Sequence, residues 1–214
     1  MKAVYDFVVS PVKSRYNNTK DVDGKELILN TEIFNHQYIS KEAVVKAIPI
    51  VGKTNIEVGD KVIVNHNIFR RWHNQYGVEK NSRSYIDEHH YLAQSNQIFL
   101  YKKSKWIAQK GYCFVAPIKS TNNLDIEKEK NLIGVVKYSD GTVSEGDLVG
   151  FTPNSKYEFI IEGQKLYRLL SQFITIKYEY QGDEEEYNPE NILEGKEVED
   201  KVKVFKGFAE GRSR

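Results

Sequence analysis

Asp6-Phe7-Val8-Val9-Ser10-Pro11-Val12-Lys13-Ser14 returns later in the chain as Tyr112-Cys113-Phe114-Val115-Ala116-Pro117-Ile118-Lys119-Ser120, at an offset of 106. Working outward, Glu57-Val58-Gly59-Asp60-Lys61-Val62-Ile63-Val64 returns as Ser144-Glu145-Gly146-Asp147-Leu148-Val149-Gly150-Phe151, at an offset of 87. A third pair, Ile86-Asp87-Glu88 through Leu100 against Ile161-Glu162-Gly163 through Thr175, sits at an offset of 75. Three matches in one order predict two copies of a β unit, spanning residues 1–108 and 109–180, followed by a charged tail over 181–214. The falling offset gives the first copy 19 extra residues (106 − 87) between its first and second anchors, and 12 more (87 − 75) before its third. Segments that differ between copies of one scaffold are where function usually sits.

Composition narrows the classes. With 40% hydrophobic and 12% aromatic residues, the chain can bury cores. A net charge of +1 gives no global reason to expect nucleic acid or an acidic membrane as partner. The single cysteine, Cys113, excludes an internal disulfide framework and suits a reducing compartment. It lies in the strand-like Tyr112–Ile118 and reads as a buried, inert thiol. Met1–Asp6 has no apolar signal core and no window approaches 18 apolar residues, so a soluble cytoplasmic protein is expected.

Short β-rich runs separated by Gly, Asn, Asp and Pro predict an all-β fold of small barrels or sandwiches. The predicted strands are Val4–Val12, Ala43–Ile50, Lys61–Asn65, Tyr91–Gln94 and Ile98–Lys102, then Tyr112–Ile118, Ile133–Tyr138, Leu148–Phe151, Tyr157–Ile161, Lys165–Leu170 and Ile174–Tyr178. The stretch 16–40 differs: it is polar and turn-prone, with one isolated apolar triplet, Leu27-Ile28-Leu29. The second copy replaces it with a short link over 121–131, so the unit folds without it. That predicts a loop bearing a hydrophobic hook. The tail opens on Asp183-Glu184-Glu185-Glu186 and reads as extended, with Val202–Phe208 able to dock.

In this order the elements resemble the GroES-type co-chaperonins of the chaperonin-10 family. Lys2–Val12 is similar to that family's first strand, Leu27-Ile28-Leu29 to the triplet of its mobile loop, and Val58-Gly59-Asp60-Lys61-Val62 to its turn into the next strand. Ile86-Asp87-Glu88 and Ser95–Leu100 complete the first copy. Glu145-Gly146-Asp147-Leu148-Val149, Ile161-Glu162-Gly163 and Ser171–Ile176 play the same parts in the second, which lacks the mobile loop. The resemblance implies two tandem GroES-like β-barrels. The family's roof hairpin shrinks here to Pro49–Asn55, as in the co-chaperonins of large tailed phages. Residues 68–85 and the tail have no counterpart in the family.

The resemblance also implies a role for Leu27, Ile28 and Leu29, whose counterparts bind an apolar groove on each chaperonin subunit. The structural alternative is that Glu26–Asn30 is one more strand of the barrel, with these residues in its core. Arg70, Arg71, Trp72 and His73, with Lys80 and Arg83, suggest either a basic aromatic patch or a solvated insertion held by Trp72. His66, His73, His89 and His90 have no Cys partner and no metal-ligand spacing, so no metal or cofactor is expected. No nucleophile elbow, P-loop or dinucleotide glycine pattern appears, so no catalytic residues and no enzyme activity are expected. The expected function is a homo-oligomeric co-chaperonin capping a GroEL-like chaperonin ring in the host cytoplasm. The alternative is a phage virion component, a capsid decoration or head–tail accessory that contacts capsid or tail proteins.

Overall fold

A computed structural model of the chain describes residues 2–16, 19–22, 25–28, 38–121, 129–179, 182 and 184–189, with only the backbone at 19–22 and 26–28. The protein is all-β: among the described residues there are seventeen strands, three 3-10 turns and no α-helix. The chain divides into two compact units, Met1–Gln109 and Lys110–Arg214.

The first unit holds β1 (Phe7–Pro11), β2 (Thr19–Val22), β3 (Lys25–Ile28), β4 (Glu42–Ala47), β5 (Lys61–Val64), β6 (Arg71–His73), β7 (Glu79–Asn81), β8 (Tyr85–Asp87), β9 (His90–Ala93), β10 (Ile98–Lys102) and β11 (Trp106–Ala108). Seven of these form an antiparallel sheet in the order β11-β10-β5-β4-β1-β9-β8. The second unit holds β12 (Tyr112–Lys119), β13 (Glu129–Ser139), β14 (Leu148–Phe151), β15 (Tyr157–Ile161), β16 (Gln164–Leu170) and β17 (Ile174–Tyr178). Their order is β15-β16-β12-β13-β14-β17. Reversed, it matches the first sheet strand for strand, less β11. Both ladders are open, with β11 and β8 terminal in one and β15 and β17 in the other.

The copies agree down to their irregularities. A bulge falls between Val8 and Val9 where β1 pairs with β4, and between Phe114 and Val115 where β12 pairs with β13, at the offset of 106. Extra residues of this kind bend and twist a strand. Each copy also uses a glycine with positive φ to enter its third strand, Gly59 at +95° and Gly146 at +90°. In both turns the Asp that follows accepts a backbone N–H through its carboxylate, from Glu57 at 2.8 Å and from Ser144 at 2.9 Å. Glycine is needed because an L side chain is strained in that region. The third offset is corrected: Val9 faces Tyr91 and Val115 faces Tyr167, which sets it at 76 (167 − 91) rather than 75.

Alternation decides which side chains go inside. In β4, Ala43, Val45 and Ala47 are buried while Glu42 and Lys46 are exposed, the period of two that a half-buried strand requires. β12 is buried from Tyr112 through Ile118, because both of its faces are covered. Phe7, Val9, Val45, Val62, Phe69, Tyr91 and Ile98 share the core of the first unit. Cys113, Val115, Val136, Val149, Tyr167 and Leu169 share that of the second. No helix of the described residues is long and apolar enough to cross a membrane.

Candidate functional site

Two features make the first unit different from the second, and both are rooted at one corner of its sheet. The first is the stretch after β1. Tyr16 and Ile39 form an isolated bridge, and the Ser40 N–H donates to the Arg15 carbonyl at 3.1 Å. Both Tyr16 and Ile39 are buried, so the two ends of the stretch are held together by the core. Within it, β2 and β3 form a separate two-stranded ribbon that pairs Thr19 with Ile28 and Lys20 with Leu27. Leu27 and Ile28 therefore lie on a strand, and that strand belongs to its own ribbon rather than to the seven-stranded sheet. The alternative, that Glu26–Asn30 is one more strand of the barrel, is corrected in its pairing: the described part, through Ile28, pairs with β2 alone. Leu29 lies outside the described residues.

The second feature is the insertion 68–85, a hairpin of β6 and β7 with Trp72 opposite Lys80. Its anchor is not Trp72, which is half-buried. Ile68 and Phe69, each 0% exposed, enter the core instead, and the Phe69 ring meets Tyr91 edge-on at 4.8 Å. The cluster of basic residues obscured this anchor in the sequence. The apolar pair just before it was the available signal.

Arg15 ties the two features together. It is a buried cation whose Nε donates to the Phe69 carbonyl at 2.6 Å and whose Nη2 donates to the Arg70 carbonyl at 3.2 Å. Its guanidinium lies 5.4 Å from the Tyr85 ring centroid and 5.5 Å from that of Tyr91. Next to it, the Tyr16 hydroxyl accepts the Arg71 N–H at 3.1 Å, and the Arg71 guanidinium lies 4.8 Å from the Tyr16 ring centroid. Arginine suits this place because its planar fork reaches two carbonyls while stacking on aromatic faces. The basic residues are thus partly occupied within the unit: Arg71 also pairs with Glu79 at 3.4 Å. Neither Arg15 nor Tyr16 stood out in the sequence, because a lone Arg-Tyr after a strand reveals no distant partner.

The remaining candidates are more local. His90 Nδ1 lies 2.9 Å from Asp87 Oδ1. Among the described residues no three His, Cys, Asp or Glu side chains come together as metal ligands. Cys113 is 0% exposed, and burial pushes its thiol up to about 12, with Asp140 adding to the shift. A thiol so rarely ionised is a poor nucleophile at neutral pH.

A third constellation lies in the second unit. Glu129 is buried, and its carboxylate accepts hydrogen bonds from Tyr167 Oη, from Lys156 Nζ at 3.0 Å and from Lys165 Nζ at 3.1 Å. Burial alone would raise the Glu129 pKa. The bonds from Tyr167, Lys156 and Lys165 outweigh it and hold the carboxyl below its usual range. Burial would lower Lys165, but its bonds to Tyr167 and Glu129 win and raise it. The acidic run that opens the tail lies beside this cluster. Glu184 pairs with Lys130 at 2.7 Å, Glu185 with Lys119, and Glu186 with Lys137 at 2.5 Å. The backbone joins in: the Lys119 N–H donates to the Glu185 carbonyl at 2.8 Å and the Tyr187 N–H to the Pro117 carbonyl at 2.7 Å. Residues 184–188 therefore form a strap beside β12, whereas Val202–Phe208, the expected docking segment, lies outside the described residues.

No protein-family model matches this chain, and no curated protein matches it. Its own two halves thus provide the comparison by which each segment can be judged.

Proposed function

We propose that the chain is a tandem co-chaperonin of the GroES type, built from two small β-barrels, which docks on a chaperonin ring through Leu27, Ile28 and Leu29. The observation that carries this reading is that β3, with Leu27 and Ile28, pairs outside a sheet whose strand order is complete without it. The second unit repeats that order with no such ribbon among its described residues. A segment that the scaffold does not need, pinned at its ends by Tyr16 and Ile39, fits a recognition arm. Each aliphatic side chain buried on a partner contributes about 1.5–3 kcal/mol, offset by the cost of ordering the arm. Several arms presented by a homo-oligomer would make weak contacts effective together. The protein needs no chemistry of its own, since ATP hydrolysis belongs to the ring.

The test is binding to a purified GroEL-type chaperonin with and without ATP, using the intact chain and a Leu27→Ser/Ile28→Ser/Leu29→Ser variant. Nucleotide-dependent binding that the triple change abolishes is the expected result. Absence of binding by the intact chain under both conditions overturns the reading.

A second reading, a phage virion component contacting capsid or tail proteins, draws on the core-anchored insertion and the strapped tail. Segments fixed on the surface of each unit suit a protein wedged between neighbours. Recovery of the chain in stoichiometric amount from purified particles would favour it.

A further inference from the structure

β12 has two edges, and its neighbours cover them unequally. On one edge β13 pairs with it as far as Lys119. On the other, β16 pairs only from Tyr112 to Val115, and the strap takes up the remainder. Ile118 and Glu186 form an antiparallel bridge. It is flanked by the Lys119 N–H donating to the Glu185 carbonyl at 2.8 Å and the Tyr187 N–H donating to the Pro117 carbonyl at 2.7 Å. The Asn188 side chain closes the contact, accepting the Lys165 N–H at 2.9 Å and donating to the Gly163 carbonyl at 3.0 Å. The strap is therefore bound as an added strand, a mode in which main-chain bonds hold a peptide and side chains select it.

The side chains it meets select for charge. Glu184 binds Lys130 Nζ through both carboxylate oxygens, at 2.7 and 2.9 Å. Glu185 pairs with Lys119, and Glu186 accepts from Lys137 Nζ at 2.5 Å and from Gln164 Nε2 at 2.8 Å. The Tyr187 ring follows, its centroid 5.8 Å from Lys165 Nζ. Glu129 occupies Lys156 and Lys165 from within the unit. The three lysines left to the strap are matched one to one by its three glutamates. All three strap carboxylates keep a quarter or more of their side-chain surface exposed, so each pair is screened and individually weak. An occupant held by several such pairs and two main-chain bonds can leave without disturbing the ladder of β12 with β13 and β16.

We infer that this face of the second unit is a binding groove for an acidic, extended segment of another protein, three carboxylates followed by an aromatic residue, and that the strap is the resident occupant which such a segment displaces. The partner's chemistry is read from the occupant. Lysines receive its carboxylates, the Pro117 carbonyl and Lys119 N–H receive its main chain, and Lys165 receives its ring. Because the strap is tethered, its effective concentration is in the millimolar range. A stray acidic peptide in solution therefore competes poorly, whereas a partner presenting a longer matching segment, or several of them, prevails. The inference concerns the second unit alone and is independent of Leu27, Ile28 and Leu29 and of the chaperonin reading.

The probe is a fluorescently labelled peptide Glu-Glu-Glu-Tyr-Asn-Pro, the sequence of residues 184–189, followed by anisotropy. It is titrated with the full chain and with the full chain carrying Glu184→Gln, Glu185→Gln and Glu186→Gln, whose strap is weakened. The variant should bind the peptide with a Kd on the order of 100 µM. The wild type should bind about tenfold more weakly or worse, in proportion to the fraction of chains whose strap is open. A peptide with Gln in place of its three Glu should lose binding. So should one methylated on the Tyr amide nitrogen, which keeps every charge but cannot donate to the Pro117 carbonyl. In the wild type, excess peptide should quicken exchange of the Tyr187 amide while the Lys119 amide stays protected, because one occupant replaces the other. The proposal is overturned if the variant fails to bind at about 5 mM peptide, if the two chains bind equally, or if Tyr187 exchange is unchanged by excess peptide. Equal binding of the methylated and parent peptides also overturns it, since that would leave only a general attraction of charges.

Discussion

The first unit protects its sheet with a strand and the second with a strap, although six strands in each follow one order. In the first, β11 covers β10 and buries Trp106 and Ala108. In the second, residues 184–188 run beside β12 and place three consecutive glutamates on Lys130, Lys119 and Lys137. The counterparts of Lys119 and Lys137 in the first unit, Lys13 and Lys46, are exposed. Among the described residues, the same scaffold therefore has a different strand covered in each copy. Divergence here lies in what each terminal segment covers, while the central ladder is retained. The special corner of the first unit, where Arg15 joins the insertion to the root of the β2–β3 stretch, has no equivalent in the second, since the position 106 residues on is Thr121.

Substitutions can break this comparison in one unit at a time. The largest effect should come from Phe69→Ala, which empties a fully buried ring site that only the first unit has. A loss of about 3–5 kcal/mol is expected. Hydrogen exchange should show it in β5 and β9 while β12 and β16 stay protected; equal loosening of both would mean that the units do not respond separately.

Glu129→Gln is the matching probe of the second unit. Removing a buried charge from between Lys156 and Lys165 should cost about 3 kcal/mol, read as faster exchange in β13 and β16. The same cluster sets a pH dependence. The Glu129 pKa is depressed by folding, so its contribution is present above the ordinary carboxylate value of 4.5 and is lost as pH falls through the lower folded value. The Lys165 pKa is raised by folding, so its contribution is full below 10.5 and is lost as pH rises through the higher folded value. Acid and alkaline unfolding followed at the Tyr167 ring should lose the acid limb in Glu129→Gln and keep a weakened alkaline limb, since Tyr167 also holds Lys165.

Gly59→Ala and Gly146→Ala sharpen the comparison, because the two turns match in φ and in their Asp hydrogen bonds. Each should cost about 1–2 kcal/mol of backbone strain, and neither site has a steric obstacle near the added methyl group. Thermal melts of the two variants that differed by more than about 1 kcal/mol would show that the turns are not equivalent. The smallest effect belongs to the strap. Changing Glu184, Glu185 and Glu186 together to Gln should cost about 1 kcal/mol or less per pair. Exchange of the Lys119 and Tyr187 amides should quicken, and added salt should reduce the difference between variant and wild type.

Much of this architecture was legible because its signals are local. The repeat of Val-Ser-Pro-Val-Lys as Val-Ala-Pro-Ile-Lys placed β1 and β12, and the two Gly-Asp turns placed β5 and β14. Strands shorter than four residues, β6, β7, β8 and β11, were missed, since three residues are too few to establish alternation. The hook was legible as an isolated apolar triplet, but its separation from the main sheet was not. Trp72 is the obvious anchor if the insertion is read as solvated, yet the neighbouring Ile68 and Phe69 are the buried residues.

The sequence by itself determined that this protein is all-β and made of two related halves, because strand periodicity and turn chemistry are written in neighbouring residues. Tertiary structure alone decided the rest. It brought Arg15 to carbonyls 54 and 55 residues away, folded an acidic tail onto lysines of β12 and β13, and laid β11 along β10. Those outcomes depend on which segments the folded chain brings side by side, and no local pattern encodes that distance.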